Sequence, residues 1–195
     1  MSNLITERYL LQNMLSNSCI KLAEIYFGHL SGVEVLKVRL GEVTLRFDPV
    51  KISRTEIEKG FTEIGFAIIA DPNLALVENI KVAAIELIHK ANNMNSLIRN
   101  SDYISDRVQI AYDKLSKVFS SVTGTTLEKY IILLKIERAK ELILKDEFSL
   151  SEIAYMLGYS SVQYLSNQFK KITGYTVSQY KNGAPVERIP LEQII

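Results

Sequence analysis

The chain has 195 residues, 47% hydrophobic and 23% charged, enough for one large domain or two small ones. Its 23 Lys and Arg against 22 Asp and Glu give a formal charge of +1, so global charge names no partner and any nucleic-acid contact must come from local patches. The single cysteine, Cys19, excludes an intramolecular disulfide and fits a reducing compartment, and no apolar run approaches the ~20 residues of a membrane helix. The expectation is a soluble cytoplasmic protein with no membrane partner.

Thr6 to Met14 reads as a short strand and Cys19 to Leu30 as a helix, capped by Ser16 or Ser18 and ended by Gly32. Val33 to Leu40 alternates, with Leu36, Val38 and Leu40 on one face, and Val43, Leu45 and Phe47 alternate again after a turn at Gly41 and Glu42. Ser53 followed by Glu56 spells a capping box, opening a helix with Ile57, Phe61 and Ile64 inward and Gly65 as its stop. Phe66 to Ala70 is a last short strand. The order strand, helix, strand, strand, helix, strand predicts a ferredoxin-like βαββαβ domain over residues 1–72.

That order and length resemble a heavy-metal-associated domain of the metallochaperone type, whose loop before the first helix carries Met-X-Cys-X-X-Cys. Here Met14 and Cys19 match, but Ser16 stands at the first cysteine position. A serine hydroxyl is a hard, protonated group and a poor ligand for a soft ion such as Cu(I). Residual binding through Cys19 with Met14, or with a second copy of the chain, is one reading. A retired metal fold kept as a scaffold or dimer surface is the favoured one, and no cofactor is expected.

From Leu74 to Ala91, Val77, Ala84, Ile85 and Ile88 recur without Gly or Pro, which predicts a long connecting helix. Asn92, Asn93 and Asn95 mark a hinge, placing the boundary at about residue 92 within a connecting segment 73–97. His29 and His89 have no partners at ligand spacing.

Beyond the hinge the chain repeats itself at an offset of fifty residues. Leu115, Ser116, Phe119, Thr123, Gly124, Thr126 and Tyr130 recur as Leu165, Ser166, Phe169, Thr173, Gly174, Thr176 and Tyr180. The second copy shows how each unit is built. Ser149 with Glu152 opens a helix with Ile153, Ala154 and Leu157 on one face, Gly158 ends it, and Ser160 or Ser161 caps a second helix that buries Leu165 and Phe169. Such a helix, turn and helix is the form that enters a DNA groove. Between the copies Thr126 to Lys145 is apolar on more than one side, so both units must cover it. The predicted fold class is α+β, with an all-α domain of two helix-turn-helix units joined by a long helix at 98–184. The tail 185–195 either docks or stays disordered.

This region resembles the DNA-binding domain of bacterial AraC-type transcription regulators. The resemblance is carried by Leu115-Ser116, Phe119, Thr123-Gly124, the run Lys135 to Leu142, Ser151-Glu152-Ile153-Ala154, Leu157 to Ser161, Phe169-Lys170-Lys171, Thr173-Gly174 and Tyr180. It implies seven helices and two recognition helices in adjacent major grooves. Base-reading positions carried over to the second unit are Val162, Gln163 and Asn167, where an amide can bond an adenine edge and Val162 can meet a thymine methyl. In the first unit they are Asp113, Ser116 and Lys117. Lys114, Ser161, Ser166, Lys170 and Lys171 complete the expected DNA-facing set. Val108 stands where Gly158 stands, so the second unit is expected to have the better-formed turn.

Double-stranded DNA is thus the expected partner, with RNA polymerase and a second copy of the chain as further candidates. An enzyme is not expected, because the chain has no glycine-rich phosphate loop, no nucleophile with a plausible base and no clustered carboxylates. Metal handling through Cys19 and Met14 is the alternative function.

Overall fold

A computed structural model describes residues 4–90 and 100–195. They form two compact units, 1–82 and 83–195. The asparagine-rich hinge expected at 92–95 lies outside the described residues. The division falls earlier than residue 92 because the C-terminal turns of the connecting helix, with Ile85, Leu87 and Ile88 buried, belong to the second unit.

In the first unit β1 (Ile5–Gln12), α1 (Asn17–Gly28), β2 (Val33–Arg39), β3 (Glu42–Phe47), α2 (Arg54–Glu63) and β4 (Ala67–Ile68) follow in the expected order. The strands form one antiparallel sheet in the order β2-β3-β1-β4. Strand alternation sends Tyr9, Leu11, Val43, Leu45 and Phe47 to one face, where Ala23 and Phe27 of α1 and Ile57 and Phe61 of α2 bury them. The other face is polar, with exposed cross-strand pairs Arg8–Glu42 at 2.5 Å and Arg46–Glu34 at 2.6 Å.

The Ser53–Glu56 capping box is present in full: the Ser53 hydroxyl accepts from the Glu56 N–H, and the Glu56 carboxylate accepts from the Ser53 N–H. Gly60 lies inside α2 although glycine weakens a helix interior by about 1 kcal/mol relative to alanine. Its reason is close approach, since a Cβ there would lie 2.8 Å from the Tyr26 ring of α1.

Helix α1 ends at Gly28 with His29 at its C-cap, short of the expected end at Gly32, and Ser16 at its N-cap makes no side-chain cap hydrogen bond; two strand expectations also fail. Leu36 is exposed, not inward with Val38, because the β2–β3 register shifts between Val35 and Lys37. The extra residue reverses the alternation, so Val33, Val35 and Val38 pack on the core instead. The last strand is also shorter than expected, two residues in place of five.

The connecting helix α3 (Pro72–Lys90) is as long as expected. Its first-unit part buries Glu78 beside Lys81 at 3.0 Å, and the Glu78 carboxylate also accepts from the Asn13 N–H at 3.2 Å. Pairing makes burial of these two charges tolerable.

The second unit continues with α4 (Asn100–Val108), α5 (Tyr112–Thr123), α6 (Leu127–Lys145), α7 (Leu150–Met156), α8 (Val162–Thr173) and α9 (Val177–Lys181). Six helices therefore lie between residues 100 and 184 where the resemblance implied seven, and the last turns of α3 from Ala83 belong to the same unit. Helix α6 is buried on most sides, including Tyr130, Leu134, Ile136, Ala139 and Leu142, as its unbroken apolar composition required.

The tail docks on α6 through main-chain atoms. Glu137 and Lys140 of α6 form a buried pair at 2.5 Å; the Lys140 ammonium also donates to the Glu187 carbonyl at 2.9 Å, and the Ile189 N–H donates to the Glu137 carboxylate at 2.9 Å. No helix among the described residues is long and apolar enough to cross a membrane.

Candidate nucleic-acid interface

The fifty-residue repeat is a repeat of structure. Leu115 and Phe119 are fully buried on α5, and so are Leu165 and Phe169 on α8. From residue 111 to 119 and from 161 to 169 the order of buried, half-buried and exposed positions is identical. Phe119 packs on Tyr130 with ring centroids 5.3 Å apart, and Phe169 on Tyr180 at 5.4 Å.

Both helices end in the same way. Gly124 and Gly174 adopt left-handed backbone at φ 69° and 81°. The Thr123 hydroxyl donates to the Phe119 carbonyl at 2.8 Å and accepts from the Thr125 N–H at 3.2 Å; Thr173 does the same with Phe169 and Tyr175 at 2.8 and 3.2 Å. Thr126 and Thr176 then cap α6 and α9.

The helix starts differ. Ser161 caps α8 by accepting from the Tyr164 N–H at 3.1 Å, whereas Ala111, its counterpart, offers no side-chain cap. Gly158 takes the left-handed turn position at φ 65°, but in the first helix-turn-helix that position is filled by Gln109 at φ 60°. Helix α4 runs two residues further than the end of α7 implied at that offset, so Val108 is helical and the left-handed residue moves on by one, to its neighbour. A side chain in this conformation costs about 1–2 kcal/mol, and the first turn is the more strained.

With the apolar pairs turned inward, α5 and α8 each present a polar row. On α5 Asp113, Lys114 and Lys117 are exposed and Ser116 is half-buried; on α8 Gln163, Asn167 and Lys170 are exposed, as is Lys171, while Val162 and Ser166 are half-buried. The Gln163 amide donates to Asn167 Oδ1 at 3.1 Å, and the Gln168 amide donates to the Tyr164 hydroxyl at 3.3 Å. Tyr164, half exposed on this surface, was not singled out by the sequence because a tyrosine between apolar positions reads as packing.

Behind α8 Tyr164 meets the ring of Tyr159 edge-on at 5.8 Å, and the Lys135 ammonium lies 5.3 Å from the Tyr159 ring centroid. Lys135 is buried, and desolvation lowers its affinity for a proton. Its cation–π contact ties α6 to the turn before α8.

The residues of the altered metal loop are placed separately. Met14 is wholly buried in the core, whereas Cys19 is half-buried, its thiol 3.2 Å from the Ser16 hydroxyl. Among the described residues no group of three His, Cys, Asp or Glu side chains is placed to share a metal ion.

Residues 104–183 match a family model described as a helix-turn-helix domain. The chain is 32% identical over 100 residues to the xylose operon regulatory protein of Escherichia coli (strain K12), an alignment covering 51% of this chain and 26% of that protein. It is 33% identical over 105 residues to an uncharacterized HTH-type transcriptional regulator in the cgkA 5' region of Pseudoalteromonas carrageenovora, covering 54% of this chain and 61% of that protein. The C-terminal domain of AraT, a response regulator from Geobacillus stearothermophilus, superposes with a TM-score of 0.48 at 22% identity, covering 62% of this chain and 92% of that one. The chain thus spans between about a quarter and three fifths of the curated relatives it matches. Residues 104–183 thus match a helix-turn-helix domain, and the relatives that match over this part of the chain are regulatory proteins of transcription.

Proposed function

We propose that this chain is a sequence-specific DNA-binding transcription regulator in which α5 and α8 enter two adjacent major grooves of one duplex. The observation that carries this reading is the position-by-position equivalence of α5 and α8, with the same buried pair, the same threonine-glycine end and the same exposed row. Gln163 and Asn167 read base edges, Val162 meets a thymine methyl, and Lys117 bonds guanine or phosphate. Lys114, Ser116, Ser161, Ser166, Lys170 and Lys171 hold the backbone, and Asp113 accepts from a cytosine amine. Two grooves engaged by one chain make up for a net charge of only +1.

The first unit, read as a ferredoxin-like scaffold of heavy-metal-associated type, supplies dimerisation or sensing, with RNA polymerase as the downstream contact. Use of Cys19 and Met14 for a soft ion is the weaker reading, since a thioether with no exposed surface must leave the core to bind one.

Selection from a random duplex library with the full chain tests the proposal. The expected outcome is enrichment of a bipartite element with its halves about 10 base pairs apart. A single element, or no enrichment, is incompatible with two-groove docking.

A further inference from the structure

A cleft of about 330 Å³ opens in the second unit between the end of α3, α6 and the tail, lined by His89, Glu137, Arg138, Arg188, Pro190 and Leu191. Its charges are unevenly matched. The Glu137 carboxylate is already engaged by Lys140 and by the Ile189 N–H. Arg138 meets Glu141 at 2.6 Å, Lys145 meets the same carboxylate at 3.0 Å, and Arg188 only approaches it at 3.7 Å, beyond hydrogen-bond reach. One carboxylate therefore faces three cations. Among the described residues Arg188 makes no hydrogen bond, and Arg138 engages only Glu141, leaving donors on both guanidinium groups unused.

We infer that this cleft binds a compact small-molecule anion, bearing a carboxylate or phosphate group, between the guanidinium groups of Arg138 and Arg188. A planar guanidinium fork matches either group through paired N–H donors. Pro190 and Leu191 provide the apolar wall for the ligand's carbon skeleton. Desolvation and then the Arg138 charge lower His89 below its ordinary value, with Arg188 adding to the effect and Glu141 opposing it. The volume is near the lower end of the roughly 300–1,000 Å³ typical of ligand sites, which suits a few-carbon acid or sugar phosphate. Because Arg138 belongs to α6 and Arg188 to the tail, an occupied site fastens the tail to α6.

Calorimetric titration of the full chain, in the absence of DNA, with inorganic phosphate, glucose 6-phosphate and succinate separates phosphate from carboxylate ligands. Expected is saturable binding of at least one probe at one site per chain, weakened about tenfold or more by Arg188→Ala and partly kept by Arg188→Lys, which retains charge without the fork. The Arg188 side chain is half exposed, so both variants fold. Lys129→Ala, an exposed α6 cation outside the cleft, should leave affinity within about threefold. Absence of saturable binding for all three probes overturns the inference, and so does binding that Arg188→Ala leaves unchanged or that Lys129→Ala weakens equally.

Discussion

Gln163 donates its side-chain amide to Asn167 Oδ1 across one turn of α8. The two amides are held on one face and orient each other. Alanine at either position is predicted to cost about 1–3 kcal/mol on the selected site and to relax preference at one base pair. The double variant should lose less than the sum of the two, since each single change also frees its partner. Fluorescence anisotropy in a double-mutant cycle measures this, and strictly additive losses would mean that the amides act independently.

Lys171→Ala is predicted to weaken selected and random duplexes alike. Its exposed position at the end of α8 suits a phosphate contact, so the slope of log affinity against log salt should flatten by about 1. A loss confined to the selected site would assign Lys171 to base reading instead.

The two turn residues should respond oppositely to substitution. Gly158→Ala places a side chain at φ 65° and is predicted to destabilise the domain by about 1–2 kcal/mol. Space does not limit it, because the new Cβ would lie 3.6 Å from the Lys135 ammonium, an ordinary contact. Gln109→Gly relieves the corresponding strain in the first helix-turn-helix and should stabilise by about 0.5–1 kcal/mol. Urea denaturation reads both signs; a destabilising Gln109→Gly would show that the Gln109 amide's bond to the Asp106 carbonyl outweighs backbone relief.

Burial raises the proton affinity of Glu141, but its hydrogen bonds to Arg138 and Lys145 and their charges outweigh that, holding the carboxyl at about 2. A depressed folded-state value contributes stability that is complete above the unfolded-state carboxylate range near ~4.3 and is lost as pH falls toward 2. Acid denaturation followed by circular dichroism should therefore show a shallower decline between these limits for Glu141→Gln than for the parent chain. Equal slopes would remove Glu141 from the account of acid stability.

Lys140→Ala leaves Glu137 buried without its cation and is predicted to cost about 3–5 kcal/mol. Replacing both residues by methionine and leucine should recover much of that loss, as an apolar pair carries no uncompensated charge. Denaturant midpoints of the single and double variants decide it.

How far the fold could be read beforehand depended on which atoms carry it. The repeat was visible because side chains encode it: Leu115 with Phe119 and Leu165 with Phe169 keep spacing four, and Thr123-Gly124 and Thr173-Gly174 keep the end. Capping boxes at Ser53 and Ser149 were likewise spelled in residues that do the capping. The bulge beside Leu36 was hidden, since alternation over seven residues cannot reveal one unpaired position. Gln109 was hidden because the offset pointed to Val108, and only the length of α4 moves the left-handed residue onward. Within the interface the exposed row followed from the buried pair, whereas Tyr164 depended on its packing against Tyr159, a contact outside the helix's own period.

The tail was unreadable for a different reason, because it meets α6 through the Glu187 carbonyl and the Ile189 N–H, groups that nearly every residue possesses. That choice sets an order of events during synthesis on the ribosome. The charged pair on α6 is translated well before the atoms that complete its surroundings, since 47 residues separate Lys140 from Glu187 and 52 separate Glu137 from Ile189. Helix α6 and the first helix-turn-helix are thus complete in sequence well before Ile189, the donor to Glu137, is added. Closure of the Glu137–Lys140 pair is thus a late step, and it rests on main-chain atoms of the tail.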